Sequence, residues 1–287
     1  MQSLRAAYIL GVFLLSAVFV IPYQSVALRF KTMGYKSIPE RYQRFLSRLF
    51  GIRVTVIGKP VQDRGVLMVA NHTSYLDILA LGGIARVSFV AKSEVASWPL
   101  FGTFARLQRT VFVERERRSK TAESRDQIRE RLLEGDALVL FPEGTSNDGN
   151  RVLPFKSALM GAAESQVGTD AQGAPVYVPV QPVSVTYVGV HGMPMGRENR
   201  PLYAWYGDME LAPHLWEAFV TGPVDAVVEF HAPLTVDQAG GRKALAARTE
   251  AIVRAGLTRA LAGEAHAIPP SPPESETAPG DLAEAVA

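Results

Sequence analysis

The chain has no cysteine. Its absence removes disulfides, thiolate nucleophiles, iron–sulfur clusters and zinc–thiolate sites together, and it suits a reducing compartment. Also missing are a Gly-Lys-Ser/Thr phosphate loop, a Gly-x-Gly-x-x-Gly turn, a His-Glu-x-x-His helix and a Gly-x-Ser-x-Gly elbow. The common nucleotide-cradling, zinc-protease and serine-hydrolase sites therefore have no footing here. Of the five histidines, His191, His214, His231 and His266 fall in no interpretable pattern. They are expected to be structural or solvated, and no metal site is expected.

Acidic residues are nearly absent from the first sixty positions. Glu40 stands alone against Arg5, Arg29, Lys31, Lys36, Arg41, Arg44, Arg48, Arg53 and Lys59, so this segment carries +8 and the remainder −6 within a net charge of +2. Basic charge beside an apolar segment suits anionic lipid headgroups; the stacking aromatics or reading motif of a nucleic-acid site are not found, and no nucleic-acid partner is expected.

No charged residue lies between Arg5 and Arg29, and Ala6 to Ile21 is almost wholly apolar. A helix over that interval would reach roughly 35 Å, enough to span a bilayer. Ser25-Val26-Ala27 resembles a small-residue cleavage site, so a secretory signal is the competing reading. The basic residues follow the segment, which instead predicts a retained anchor with the rest of the chain in the cytoplasm. Pro22 leaves spanning and interfacial placement both open. Residues 39–50 set Tyr42, Phe45, Leu46 and Leu49 on one helical face and Arg41, Arg44 and Arg48 on another. This pattern fits a surface-lying helix beside the anchor, or an ordinary domain helix with solvated arginines.

From Ile52 short β-branched runs alternate with helical stretches. Strands are expected at 52–57, 66–70, 87–91, 110–114, 137–141, 176–186 and 224–230, and helices at 74–84, 98–107, 119–134, 157–165, 212–219 and 242–262. Such alternation predicts an α/β fold, a mixed and mainly parallel sheet flanked by helices, with an N-terminal membrane helix. The organisation reads as an anchor and basic amphipathic helix over 1–50, a catalytic domain over 51–262, and an acidic, proline-rich tail over 263–287 whose composition predicts disorder.

Two strings carry chemistry. In Leu67-Met68-Val69-Ala70-Asn71-His72-Thr73-Ser74-Tyr75-Leu76-Asp77 a buried-type strand stops, His72 sits at its end, and Asp77 falls in the first turn of the next helix. An acid so placed can fold back on one imidazole nitrogen, fix the tautomer and leave the other nitrogen to take a proton from a hydroxyl. Taken alone, the same spacing also fits a helix-capping aspartate beside a satisfied histidine. The second string, Leu138-Val139-Leu140-Phe141-Pro142-Glu143-Gly144-Thr145, again delivers polar residues at a strand end. Two such ends would share the carboxyl edge of an open sheet, where ligands collect.

Asn71-His72-x4-Asp77 and Phe141-Pro142-Glu143-Gly144-Thr145, in this order and separation, resemble the glycerolipid acyltransferases that include 1-acylglycerol-3-phosphate acyltransferase. Weaker blocks, Val111-Phe112-Val113-Glu114-Arg115 and Val178-Pro179-Val180-Gln181-Pro182-Val183, extend the likeness over about residues 50–190. The resemblance implies the glycerol-3-phosphate acyltransferase-like fold, His72 as base and Asp77 as its partner. It further implies Lys92, Arg115, Glu143, Gly144, Thr145 and Ser146 at the acceptor, with Asn71, Phe141 and Pro142 as supporting motif residues. It implies an acyl thioester of acyl carrier protein or coenzyme A as co-substrate and no bound cofactor. Membrane lipids are the implied partners, with the protein at a bacterial inner membrane and its catalytic domain cytoplasmic.

Two departures bear on the acceptor. Phosphate-accepting members usually follow Glu-Gly-Thr with arginine, a bidentate phosphate partner, whereas this chain has Ser146, and Arg109 stands where the second block usually begins with glycine. The strings from Glu143 to Lys156 and from Phe89 to Pro99 look most like the bacterial lyso-ornithine lipid O-acyltransferases, whose acceptor is zwitterionic and free of phosphate. Phosphatidic acid synthesis is the alternative, with Arg151 or Lys156 supplying the phosphate contact. A lysolipid esterase or thioesterase using the same pair on water, and a non-catalytic lipid carrier, are the competing classes.

Overall fold

Eight strands build one twisted sheet in the computed structural model, which describes residues 2–32, 34–114, 118–169 and 171–264, and of residues 118–122 the backbone alone. The expected disordered tail, from residue 265 on, and Arg115 lie outside the described residues. The strands are β1 (Ile52–Ile57), β2 (Val66–Ala70), β3 (Ser88–Lys92), β4 (Val111–Val113), β5 (Ala137–Leu140), β6 (Gln166–Thr169), β7 (Pro175–Tyr177), β8 (Val180–Val190), β9 (Met193–Pro194) and β10 (Val224–Phe230). The order across the main sheet is β1-β10-β8-β2-β5-β3-β4, with β9 paired to β8 and with β6 and β7 forming a separate hairpin. From β8 to β4 all neighbours are parallel; β10 runs antiparallel to β8 and parallel to β1.

The helices are α1 (Gln2–Arg29), α2 (Ile38–Phe50), α3 (Leu76–Gly82), α4 (Phe101–Leu107), α5 (Arg118–Leu133), α6 (Leu211–Thr221), α7 (Val236–Ala239) and α8 (Arg242–Leu261). All five residues of β2 are fully buried, as a central strand covered on both faces requires. Its period of two splits the core. Leu67 and Val69 join Leu138, Leu140, Ile128, Leu132, Val253 and Leu257 beneath α5 and α8. Val66, Met68 and Ala70 join Phe89, Val139, Leu81 and Val228 beneath α3. Each such large side chain contributes about 1.5–3 kcal/mol by leaving water.

Three expectations need correction. The run expected as a strand over 176–186 is divided, because β7 ends at Tyr177 and pairs with β6 before β8 begins at Val180. Residues 157–164 form a 3-10 segment, broken at Met160 (φ −91°, ψ 17°), where an α-helix was expected. In α2 the buried face is Gln43, Leu46, Ser47 and Phe50, while Phe45 is exposed and Tyr42 and Leu49 are half-buried. Hydrophobicity alone misplaced that face because Gln43 goes inward, donating its amide to Gln108 Oε1 at 2.6 Å. Gly51, at φ 81°, ends α2 and lets β1 begin at once.

The apolar helix α1 continues through Pro22 without a break and lies along the body over its whole length. Ala6, Ile9, Phe13, Ala17, Gln24 and Ala27 make one buried stripe against α2, α4 and α6. It is tied down near both ends. Arg5 Nη1 donates to Phe219 O at 2.5 Å, and Gln24 Nε2 donates to Tyr35 O and Leu107 O at 3.0 and 3.1 Å. The opposite face shows Leu4, Tyr8, Leu15, Val18, Phe19 and Tyr23 to the exterior.

Candidate active site

The parallel strands β2, β5, β3 and β4 end at one edge, and the sheet register delivers His72, Phe141, Lys92 and Glu114 there in turn. Asn71 locks the first loop: it is fully buried, donates Nδ2–H to Val185 O and accepts Val185 N–H on Oδ1, both at 2.8 Å. The side chain thus completes a backbone pair where β2 leaves the sheet.

Asp77 is wholly buried, and four donors converge on it. Oδ2 accepts His72 Nδ1–H at 2.8 Å, Thr73 N–H at 2.7 Å and Ser74 N–H at 3.0 Å, while Oδ1 accepts the hydroxyl of Tyr187 at 2.8 Å. A carboxylate so surrounded acts only as an acceptor, which places the imidazole proton on Nδ1 and leaves Nε2 with a lone pair. Burial and the charge of Asp77 push the Tyr187 hydroxyl well above the usual phenol range, so it stays protonated and donating. The N–H groups after His72, a natural source of oxyanion donors, are consumed in holding Asp77. Tyr187 was not singled out in the sequence, since it lies in β8, 110 residues from Asp77.

His72 is one-fifth exposed and stacks on Phe141, ring centroids 4.1 Å apart and planes at 17°. Phe141 in turn stacks on Phe89 at 6.3 Å. The strand-end aromatic of the second motif is therefore the platform under the imidazole. Pro142 is buried behind it, its carbonyl accepting Lys156 N–H at 2.9 Å, and Gly144 turns the chain at φ 77°.

Glu143, expected at the acceptor, faces inward instead. It is 1% exposed, its Oε1 accepts His72 N–H at 3.1 Å and its Oε2 accepts Asn147 Nδ2–H at 2.7 Å. Asn147 N–H returns to His72 O at 3.1 Å, so the carboxyl group stitches the two motif loops together. Burial pushes it up to about 8, against the pull of the Asn147, His72 and Leu153 N–H donors. Thr145 is exposed, its hydroxyl donating to Ser146 O at 3.4 Å, and Lys92 is exposed at the end of β3 and has no polar partner among the described residues. Ser146 does not face outward freely: its hydroxyl donates to Trp205 O. Arg109, the second departure from the family pattern, precedes β4 and so lies at the opposite, amino edge of the sheet, paired with Asp136 at 3.0 Å and Glu134 at 3.2 Å.

Beside this edge an apolar cavity opens between α1, α2, α3, α4 and β3. Tyr75, Phe89, Ala91 and Trp98 line it near the His72 loop, and Leu107, Gln108, Thr110 and Gln24 line its other end, toward the amino edge. Phe89 is shared between the cavity wall and the aromatic stack under His72.

Comparison with known proteins matches residues 53–186 to the family described as Acyltransferase. The lyso-ornithine lipid O-acyltransferase of Brucella abortus (strain 2308) is 49% identical over 244 residues, covering 85% of this chain and 90% of that one. Its counterpart in Rhizobium meliloti (strain 1021) is 42% identical, covering 85% and 82%. Among solved structures, the 1-acyl-sn-glycerophosphate (LPA) acyltransferase PlsC of Thermotoga maritima superposes with a TM-score of 0.63 at 24% identity, over 90% of this chain and 97% of that one, and so shares the fold.

Proposed function

The chain belongs to the acyltransferase family, and we propose that it transfers a fatty acyl group from a thioester carrier to the hydroxyl of lyso-ornithine lipid, giving ornithine lipid. The observation that carries the reading is the Asp77–His72 pair. Four donors hold the carboxylate, the Nδ1 proton is spent on it, and Nε2 is left to accept a proton; the aromatic stack under the ring ends on Phe89, which lines the apolar cavity.

In this mechanism His72 Nε2 takes the proton of the acceptor hydroxyl as its oxygen attacks the thioester carbonyl carbon. The imidazolium is stabilised by Asp77. The tetrahedral intermediate collapses, the C–S bond breaks, and the thiolate leaves with the ester formed; the proton on His72 passes to the sulfur. Asp77, Tyr187 and Glu143 orient the base rather than touch substrate. The cavity from Tyr75 to Gln108 takes the apolar chain of the acyl donor. Lys92, Thr145 and Arg115 serve the acceptor headgroup, and the donor is an acyl carrier protein or coenzyme A thioester.

The protein works as an interfacial enzyme at the inner membrane, facing the cytoplasm. Supporting this, α1 is long and apolar enough to cross a bilayer, yet one stripe of it is buried on the body along its whole length. A helix held so lays its outer face of Leu15, Val18 and Phe19 into one leaflet and keeps the site at the lipid surface. The test is transfer of a labelled acyl thioester by membranes holding the protein, offered lyso-ornithine lipid and lysophosphatidic acid in parallel. Transfer to lyso-ornithine lipid that His72→Ala abolishes supports the reading; preference for lysophosphatidic acid returns the enzyme to phospholipid synthesis, and release of free fatty acid without acceptor makes it a hydrolase.

A further inference from the structure

Trp205 joins the two motif loops a second time, beside the Glu143 and Asn147 contacts. Its N–H donates to Thr73 O at 2.9 Å, next to His72, and its carbonyl accepts the hydroxyl of Ser146. The indole Nε1–H is spent on Met209 O at 2.9 Å, so the ring is fixed in orientation and has no polar atom left to offer. The ring meets Tyr75 at 6.2 Å and 63° and Trp98 at 5.6 Å and 86°, both edge to face. Tyr75 sits between His72 and Asp77 in the chain, and Trp98 ends the 3-10 segment Ser93–Ser97 that continues from Lys92. All three rings are half-buried. They form an aromatic cluster beside the His72 loop, with Tyr75 and Trp98 lining the apolar cavity and Tyr75 packed on the core.

From this juxtaposition we propose that the Trp205 indole is a specificity-determining wall of the acceptor-headgroup site, selecting a headgroup that carries an ammonium and no phosphate, and that Ser146 helps to set its position. The inference rests on the acceptor reading above. A π face carries negative potential and attracts an ammonium group, whereas it offers phosphate oxygens nothing once the indole N–H is engaged. Arginine at position 146 would replace the short hydroxyl clamp with a long cation, which removes one of the three hydrogen bonds holding Trp205 and supplies a bidentate phosphate partner instead. Ser146, one of the two positions at which this chain departs from the phosphate-accepting pattern, is thus also one that holds the aromatic wall.

The test compares wild type, Trp205→Leu, Trp205→Phe and Ser146→Arg on three acceptors: lyso-ornithine lipid, the same lipid acetylated on its ammonium, and lysophosphatidic acid. Trp205→Leu is expected to raise KM for lyso-ornithine lipid by about 3- to 30-fold with little change in kcat, the range of a partly desolvated cation–π contact. It should leave the acetylated acceptor unaffected, which also certifies the fold, and Trp205→Phe should recover most of the loss. Ser146→Arg should shift the ratio toward lysophosphatidic acid. Equal loss on charged and acetylated acceptors, or no loss on either, overturns the inference while leaving lyso-ornithine lipid as acceptor. Wild type that prefers lysophosphatidic acid overturns the acceptor reading itself, and this inference with it.

Discussion

Tyr187 donates its hydroxyl to Asp77 Oδ1 at 2.8 Å, while His72 donates to Oδ2 of the same carboxylate. The base is thus oriented through two shells, one from the loop after β2 and one from the middle of β8. Tyr187→Phe strips one donor from a buried charge and should cost about 1–3 kcal/mol of stability. Because Tyr187 stands behind Asp77, kcat should fall with KM for both substrates unchanged. A KM effect in steady-state kinetics would instead put the tyrosine in contact with substrate.

Removing the pair itself should be more severe. His72→Ala should lower the rate by about 10²- to 10⁴-fold, the contribution of a positioned base. Asp77→Asn keeps the shape but turns an amide toward donors that now lack an acceptor, favouring the wrong imidazole tautomer, and should approach the same loss. Single-turnover transfer at saturating acceptor separates this from weaker binding. Rates near wild type in either variant would remove the pair from the mechanism.

Much of this was legible in the sequence, for a physical reason. His72 and Asp77 are five apart, so one loop and one helical turn decide their contact. The alternation of β-branched runs placed the parallel strands for the same local reason. Contacts made at long range left no local trace: Tyr187 under Asp77, Asn71 on Val185, and Trp205 on Thr73 and Ser146. Glu143 was found but its direction was not, since a strand-end acid reads alike whether it faces solvent or stitches loops. The apolar helix α1 is visible as composition, but its buried stripe appears only once α2, α4 and α6 are folded against it.

Glu143 should make stability depend on pH in one direction. Its folded-state value, near 8, lies above the ordinary 4.5, so the folded protein binds the extra proton between those limits. Stability from this group is complete below about pH 4.5 and is lost as pH rises through about 8. His214 and His231, both lowered by burial, act oppositely below their ordinary 6.5, so the difference between variants isolates the glutamate. Glu143→Gln should flatten that part of the Tm against pH curve while lowering Tm at acid pH, because its amide nitrogen meets a donor. A wild-type curve that parallels the variant's from pH 5 to 8 would show that Glu143 does not titrate there.

The cavity makes a prediction about chain length. Ala105 lines it beside Leu107 and Gln108, far from the His72 loop. Ala105→Phe fills that end without touching the base, so kcat/KM should fall for long acyl thioesters and hold for short ones. Competition between donors of different length reads the ratio directly. Uniform loss across lengths would mean that the acyl chain lies elsewhere.

The proposed interfacial placement makes a prediction at the outer face of α1. Leu15 and Phe19, 61% and 67% exposed, contribute nothing to the core that Phe13 and Ala17 build on the other side. Replacing both with glutamate should therefore change stability by no more than about 0.5 kcal/mol per site, the usual range for exposed positions. Membrane affinity should fall sharply, since charge would replace apolar area in the headgroup and acyl boundary. Sedimentation with anionic vesicles measures the loss, and transfer to an acceptor dispersed in detergent should persist. If the doubly substituted protein still pellets fully with vesicles, the basic residues around α2, or a deeper insertion of α1, carry the attachment instead.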